Sequence, residues 1–284
     1  MIRLLAIDID GTLLDSRGRL PDVHRDALVE ASARGIDVAL VTGRSFHFTR
    51  PVADLLPIPL TLIVNNGAVV KRTNGETELR HLLSRHAARQ ILSETRAYED
   101  SVALVFDRPD ERQIVFERMD WSHVNRRGYY DKNQAYIARA ASPLAEVLSE
   151  DPIQVMFNGS VEPMRALVTA LRALPIASEY SVAITEYEAR DFSMVDVNGA
   201  GCSKGATLAR FVATRGLTPD AVMAIGDNLN DVEMLDFAGT AVVMGNATDA
   251  IKARGYHRTG TNDEGGLATA IRLHALNQHK GHAD

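Results

Sequence analysis

Arg3-Leu4-Leu5-Ala6-Ile7-Asp8-Ile9-Asp10-Gly11-Thr12 decides how the rest of the chain is read. The short apolar run, rich in Leu and Ile, predicts a buried strand. It ends on two carboxylates at i and i+2, followed at once by Gly-Thr. Carboxylates cost free energy to bury and are poor strand formers. A strand that terminates in two of them therefore sets them at a sheet edge for a purpose. An Asx-turn behind a hydrophobic strand accounts for one aspartate but not for both. In open parallel α/β sheets, ligands bind beyond the carboxyl ends of the strands. Gly11 permits the sharp exit that such a loop needs.

The residues that follow repeat the pattern. Pro21 opens a helix whose Val23, Ala27, Leu28 and Ala31 share one face, with Gly35 as its stop. Residues 36–41 predict a second buried strand, ending in Thr42-Gly43-Arg44, and a helix is expected over 46–56 despite Pro51. Residues 60–64 form a third strand, closing on Asn65-Asn66-Gly67-Ala68, and 69–79 read as a hairpin turning at Asn74-Gly75. Alternating strand and helix is the signature of a parallel sheet.

From about Ser84 the style changes. A helix is expected over 84–98, strands over 101–106 and 153–157, a helix over 161–174, and strands over 182–188 and 192–197. Residues 107–149 carry no chemistry at recognisable spacing. This mixture predicts an α+β unit with an antiparallel sheet. The buried-strand style returns at 221–225, ending in Gly226-Asp227-Asn228, and again at 240–244; helices are expected over 205–214, 248–254 and 266–276, before a polar tail that frays. The expected fold is thus α/β, a Rossmann-like doubly wound parallel sheet at 1–82 and 190–284, split by an inserted α+β domain at 83–189.

Composition narrows the function. The chain has 284 residues, 45% hydrophobic and 24% charged, which suits a globular protein. A net charge of -6 argues against a nucleic-acid-binding surface. The single cysteine, Cys202, rules out an intrachain disulfide and a multi-cysteine metal site, and it reads as a small buried residue. The nine histidines show no metal-ligand spacing. The opening residues lack a signal-peptide layout and no stretch approaches ~18 consecutive apolar residues, so a cytoplasmic protein with no membrane partner is expected.

Four strand ends or loops carry the residues of interest: Asp8 and Asp10; Thr42; Lys204; and Asp227 with Asn230 and Asp231. Each has an ordinary alternative. Thr42-Gly43-Arg44 could be a plain strand-to-helix turn, Ser203-Lys204 an N-cap with a solvated lysine, and Asp231 a cap for the helix after it. Together they lie where an open α/β sheet gathers its ligand, and their types fit one chemistry. Converging carboxylates call for a divalent cation, and all-oxygen ligation favours Mg²⁺. A carboxylate can attack phosphorus, while a hydroxyl and an ammonium stabilise charge on the transferring oxygens. In the inserted domain, Trp121, Tyr129 and Tyr130 could stack on a ring, with aromatic packing the plainer reading.

On these residues the chain resembles the haloacid dehalogenase-like (HAD) phosphohydrolases. Asp8-Ile-Asp-Gly-Thr12 matches their first motif, Val41-Thr-Gly-Arg44 the second, Lys204 in Cys-Ser-Lys-Gly the third, and Gly226-Asp-Asn-Leu-Asn-Asp231 the fourth. Asn66-Gly67-Ala68, Met244-Gly-Asn-Ala247, Asn262-Asp-Glu-Gly-Gly266 and the position of the insertion resemble the Cof-type branch. The resemblance implies a Mg²⁺-dependent phosphatase acting on a small phosphorylated metabolite, with sugar phosphates the usual class. It implies Asp8 as nucleophile and Asp10 as general acid and base. Mg²⁺ would be held by the Asp8 carboxylate, the Asp10 carbonyl and Asp227. Thr42, Gly43, Lys204 and Asn230 would bind the phosphoryl group, with Asp231 supporting the metal's waters, and the insertion would act as a specificity cap. A phosphomutase using the same aspartyl phosphate is the neighbouring reading. A receiver-like phospho-acceptor switch is the non-enzymatic one, and Asp10 and the insertion speak against it.

Overall fold

The computed structural model describes residues 1–109 and 112–277; the polar tail expected to fray lies outside them. The chain forms two compact units, Met1–Arg80 together with the chain from Ser203, and His81–Cys202. The first run contributes β1 (Leu4–Ile7), α1 (Asp22–Ala33), β2 (Asp37–Val41), α2 (Phe46–Ala53), β3 (Thr61–Val64), β4 (Val69–Arg72) and β5 (Thr77–Arg80). The second unit holds α3 (Arg85–Glu94), β6 (Val102–Val105), β7 (Ile114–Phe116), α4 (Val124–Asn133), β8 (Ile137–Arg139), β9 (Gln154–Gly159), α5 (Val161–Ala173), β10 (Tyr180–Tyr187) and β11 (Phe192–Gly199). The chain returns to the first unit with α6 (Lys204–Thr214), β12 (Val222–Gly226), α7 (Val232–Phe237), β13 (Thr240–Val243), α8 (Asp249–Lys252), β14 (His257–Arg258) and α9 (Gly266–Ile271).

The first unit is built on one sheet in the order β14-β13-β12-β1-β2-β3-β4-β5. From β14 to β3 all neighbours are parallel, and the β4–β5 hairpin adds two antiparallel strands at one edge. Leu4, Leu5, Ala6 and Ile7 are wholly buried, as expected of a strand covered on both faces. Burying a leucine or isoleucine this completely contributes roughly 1.5–3 kcal/mol each. β1 pairs with β2 on one side and with β12 on the other, so successive strands wind away from it in opposite directions. This is a Rossmann-like sheet, and the switch in strand order puts its ligand crevice at the carboxyl ends of β1 and β12. α2 runs through Pro51 but stops at Ala53, three residues short of the expected end.

The second unit carries a six-stranded sheet ordered β10-β11-β9-β6-β7-β8, antiparallel except for the parallel pair β7–β8. One face packs Leu104, Val155, Phe157, Val195 and Val197 against Ala88 and Ile91 of α3 and Leu167 and Leu171 of α5. The boundary expected at 189/190 moves to 202/203, because β11 pairs along its length with β10 and β9 and lends Val195 and Val197 to this core. The helix expected over 84–98 ends at Glu94, where Thr95 turns its hydroxyl back to the Ile91 carbonyl at 2.7 Å and a 3-10 turn follows. Among the described residues no helix is long and apolar enough to cross a membrane.

Candidate active site

The carboxyl end of β1 delivers Asp8, which is buried, and the loop beyond it turns at Gly11. Gly11 has φ +85°, and a Cβ there would stand 2.3 Å from Oδ2 of Asp227. Only glycine both adopts that backbone and lets the carboxylate at the end of β12 come so close. Thr12 donates its hydroxyl to Oδ1 of Asp227 at 2.8 Å, so the two strand ends are tied directly.

Lys204 is the first residue of α6, capped by Ser203, whose hydroxyl accepts from the Ala206 amide at 3.0 Å. It is not solvated: its side chain is 1% exposed. Its Nζ donates to Oδ1 of Asp8 and to Oδ1 of Asp231, each at 2.6 Å. Asp231 also caps from within, its Oδ2 accepting the Asp227 and Asn228 amides at 3.0 and 2.9 Å. The side chain of Asp231 thus closes the turn that precedes α7, and it makes no cap hydrogen bond to α7 itself.

Asp8, Asp227 and Asp231 each present an oxygen within 4.8 Å of the others'. Three buried carboxylates around one ammonium leave two negative charges uncompensated when all are ionised. Burial pushes Asp8 up to about 7, against the pull of Lys204 and with further help from Asp231 and Asp10. Burial also raises Asp227 well above its ordinary value, and Asp8 and Asp231 add to it. Burial alone would lower Lys204, yet Asp231 and Asp8 hold it above its ordinary value. An all-oxygen cluster short of two positive charges fits a divalent cation such as Mg²⁺.

Asp10 does something different. Its carboxylate is held by both branches of Arg44, Nε to Oδ2 at 2.7 Å and Nη2 to Oδ1 at 2.6 Å. Its side chain keeps 40% exposure, unlike the buried Asp8. Thr42, at the end of β2, is buried and accepts the Arg44 amide on its hydroxyl oxygen at 3.1 Å, leaving its own O–H to donate elsewhere. Gly43 follows in the same turn.

Three consecutive residues after β3 take left-handed backbone: Asn65 (φ 50°), Asn66 (φ 53°) and Gly67 (φ 98°). This kink is strapped to the neighbouring loops. The Asn65 and Asn66 amides donate to the Arg44 and Thr42 carbonyls at 2.9 and 3.0 Å, and Asn66 Oδ1 accepts from Asn230 at 2.9 Å. Gly67 lies against α6, its carbonyl accepting from Thr207 at 2.9 Å. Asn230 and Thr42 are thus joined through Asn66.

Several residues of this site carried no assigned role in the sequence: Thr12, Arg44, Asn66, Asn246 and Asn262. Asn246 Nδ2 donates to the Gly11 carbonyl at 2.8 Å and reaches Oδ2 of Asp227 at 3.4 Å. Its Oδ1 accepts the Asn262 amide at 3.1 Å, and Asn262 Nδ2 donates to the Leu14 carbonyl at 2.8 Å. Their signal was present, since both sit in the short Gly- and Asn-bearing motifs near the carboxyl end of the chain. Cys202 is buried in the second unit. There Trp121 and Tyr130 pack on Phe116 and on each other, with Trp121 and Tyr130 centroids 4.7 Å apart. They line a cavity of roughly 780 Å³ together with Arg118, Arg127 and Arg139.

Comparison with known proteins agrees with this geometry. A family model described as haloacid dehalogenase-like hydrolase matches residues 5–271. The chain is 30% identical over 274 residues to the 5-amino-6-(5-phospho-D-ribitylamino)uracil phosphatase YcsE of Bacillus subtilis, covering 95% of each. It is 28% identical to the pyridoxal phosphate phosphatase YbhA of Escherichia coli, over 96% of this chain and 99% of that one. Among solved structures it is similar to the HAD-superfamily phosphatase BT1666 of Bacteroides thetaiotaomicron, with a TM-score of 0.78, 25% identity, and coverage of 96% and 95%.

Proposed function

The chain belongs to the haloacid dehalogenase-like hydrolases and is a phosphoric monoester hydrolase, and from that premise we propose that it frees inorganic phosphate from a small sugar phosphate or related monoester through an aspartyl phosphate on Asp8. The observation that carries this reading is the buried Asp8 carboxylate set between Lys204 and Asp227, with Asp10 oriented by Arg44 one turn of loop away.

An oxygen of Asp8 attacks phosphorus, and the bond from phosphorus to the leaving oxygen breaks. Asp10 gives its proton to that leaving alkoxide. The resulting Asp10 carboxylate then takes a proton from water, whose oxygen attacks the aspartyl phosphate and returns Asp8. Lys204, the Thr42 hydroxyl, the Gly43 amide and Asn230 stabilise the charge that gathers on the transferring oxygens. Mg²⁺ would be held by the carboxylates of Asp8 and Asp227 and the Asp10 carbonyl, with Asp231 behind its waters, supplying positive charge against the phosphate dianion.

Incubating the protein with Mg²⁺ and a panel of phosphometabolites, while following phosphate release and the lifetime of any acid-labile phosphoenzyme, tests this. Catalytic phosphate release with a short-lived intermediate is expected, and a chelator should abolish it. Return of the phosphoryl group to substrate would make the enzyme a mutase, and a phosphoenzyme stable for minutes would make it a switch. Full turnover in excess chelator would remove the cation from the scheme.

A further inference from the structure

The loop from Gly11 to Leu14 is gripped by three side chains, and the third of them lies outside every motif read in the sequence. Asn246 holds the Gly11 carbonyl and Asn262 the Leu14 carbonyl, each at 2.8 Å. Between them, the Leu13 carbonyl is bonded by Nδ1 of His24 at 2.9 Å. His24 is the third residue of α1 and is wholly buried. We propose that His24 is a positioning residue for phosphoryl transfer, its Nδ1–H holding the Leu13 carbonyl so that the loop between Asp8 and Thr12 keeps its geometry.

A carbonyl oxygen only accepts, so this contact fixes the tautomer: the hydrogen is on Nδ1, and Nε2 carries a lone pair. Nε2 is buried with no hydrogen-bond partner. A buried imidazole left half satisfied costs free energy. An apolar side chain would fill the space without that cost, so packing alone does not account for a histidine here. What histidine adds is the single donor aimed at Leu13. Burial also lowers its pKa, outweighing the Leu13 bond and the field of Asp15, which keeps the ring neutral and its one hydrogen committed.

The grip reaches the reacting groups in two short steps. The Leu13 amide donates to the Asp8 and Ile9 carbonyls at 3.2 and 3.0 Å, and the Leu14 amide to the Ile9 carbonyl at 3.0 Å. Residue 12, next to Leu13, is the threonine that ties this loop to Asp227. Releasing Leu13 frees the turn that sets Asp10 and the Thr12–Asp227 bond, without touching either directly. A misplacement of about 1 Å at reacting groups can cost on the order of 100-fold in rate.

The inference rests on the phosphatase reading, and the test separates the two. Hydrolysis of p-nitrophenyl phosphate with Mg²⁺ is compared among wild type, His24→Leu, His24→Gln and His24→Asn, alongside thermal melts. Asn offers an amide N–H near the Nδ1 position, Gln one near Nε2, and Leu none. The expected result is a fall in kcat of about 10- to 100-fold for Leu and Gln with KM within about threefold, and recovery of most of the rate by Asn. An unchanged kcat in folded His24→Leu overturns the proposal, and so does equal loss in Leu, Gln and Asn, which would make His24 a packing residue. If the variants fail to fold, ¹⁵N-histidine spectra of the wild type decide: His24 must be a neutral Nδ1–H tautomer, and an Nε2–H tautomer overturns the grip. Absence of phosphatase activity in the wild type itself would instead count against the proposed function.

Discussion

Asp8 sits where its charged form costs the folded chain stability. Its carboxyl holds its proton up to about 7 in the folded chain, against roughly 4 for an ordinary aspartate. The folded state therefore binds the proton more tightly than the unfolded state. That contribution is fully present below about pH 4 and is lost as the pH rises through about 7. Asn at this position stays neutral throughout. Metal-free Asp8→Asn should accordingly melt several degrees higher than wild type at pH 8, with the difference shrinking towards pH 4, while losing all turnover; calorimetry across that range checks it. Lys204 has the opposite character. Removing it leaves Asp8 and Asp231 buried without their shared cation, so Lys204→Ala should cost about 3–5 kcal/mol in denaturant melts. Millimolar Mg²⁺ should restore part of that loss; a near-neutral Lys204→Ala would mean that the cluster does not carry the charge inferred for it. At this scale the sequence exposed the charged residues and hid their partners. Aspartates at strand ends are conspicuous, whereas the imidazole of His24 and the amide of Asn246 bond backbone carbonyls that have no signature of their own.

Among the elements, legibility followed burial. β1, β2, β3 and β12 are continuous apolar runs covered on both faces, and their ends could be read to within a residue or two. Residues 107–149 could not, because β7 and β8 are three residues long and α4 is the polar sequence Val-Asn-Arg-Arg-Gly-Tyr-Tyr-Asp-Lys-Asn. α4 contains one buried arginine, Arg126, which bonds the Asn158 side chain at 2.7 Å in place of an apolar stripe. The kink after β3 was visible as Asn-Asn-Gly but its purpose was not. At Gly67 an added Cβ would stand 2.3 Å from the Ser203 carbonyl, on a backbone of φ 98°. Gly67→Ala should therefore shift the start of α6, costing several kcal/mol and most of the activity. Gly18→Ala has a similar φ of 73° with open space around it and should cost only about 1 kcal/mol. Chemical denaturation of the pair measures the difference, and similar losses in both would show that the close approach to α6 carries no weight.

For the whole molecule, the division of labour is a matter of which residues are shared by every substrate. The residues proposed to carry the chemistry all belong to the first unit, and in that scheme they address the phosphoryl group and its leaving oxygen, which every phosphate ester has. We propose that choice among leaving groups falls to the second unit, residues 81–202, whose cavity is lined by aromatic, arginine and acidic side chains. Replacing His81–Cys202 with a short linker should leave slow hydrolysis of an aryl phosphate and erase the preference for the best natural substrate. The ratio of kcat/KM values, read on a chain shown by circular dichroism to be folded, is the measurement. An unchanged ratio would put specificity in the loops of the first unit.

The position of β1 between β2 and β12 also sets a timetable for synthesis. β2 is complete by residue 41, but β12 ends at residue 226, after the whole second unit has been made. At about 5–20 residues per second, the strand Leu4–Ile7 waits on the order of 10–40 s with one edge unpaired. An exposed, wholly apolar edge is a template for pairing with another nascent chain. Charges flank it on both sides, Arg3 before and Asp8 and Asp10 after, in the arrangement by which natural sequences shield hydrophobic strands from aggregation. The same two aspartates proposed to carry the chemistry would thus guard the central strand during the interval in which there is not yet an enzyme, and an Asp8→Asn chain should pass through that interval less well protected.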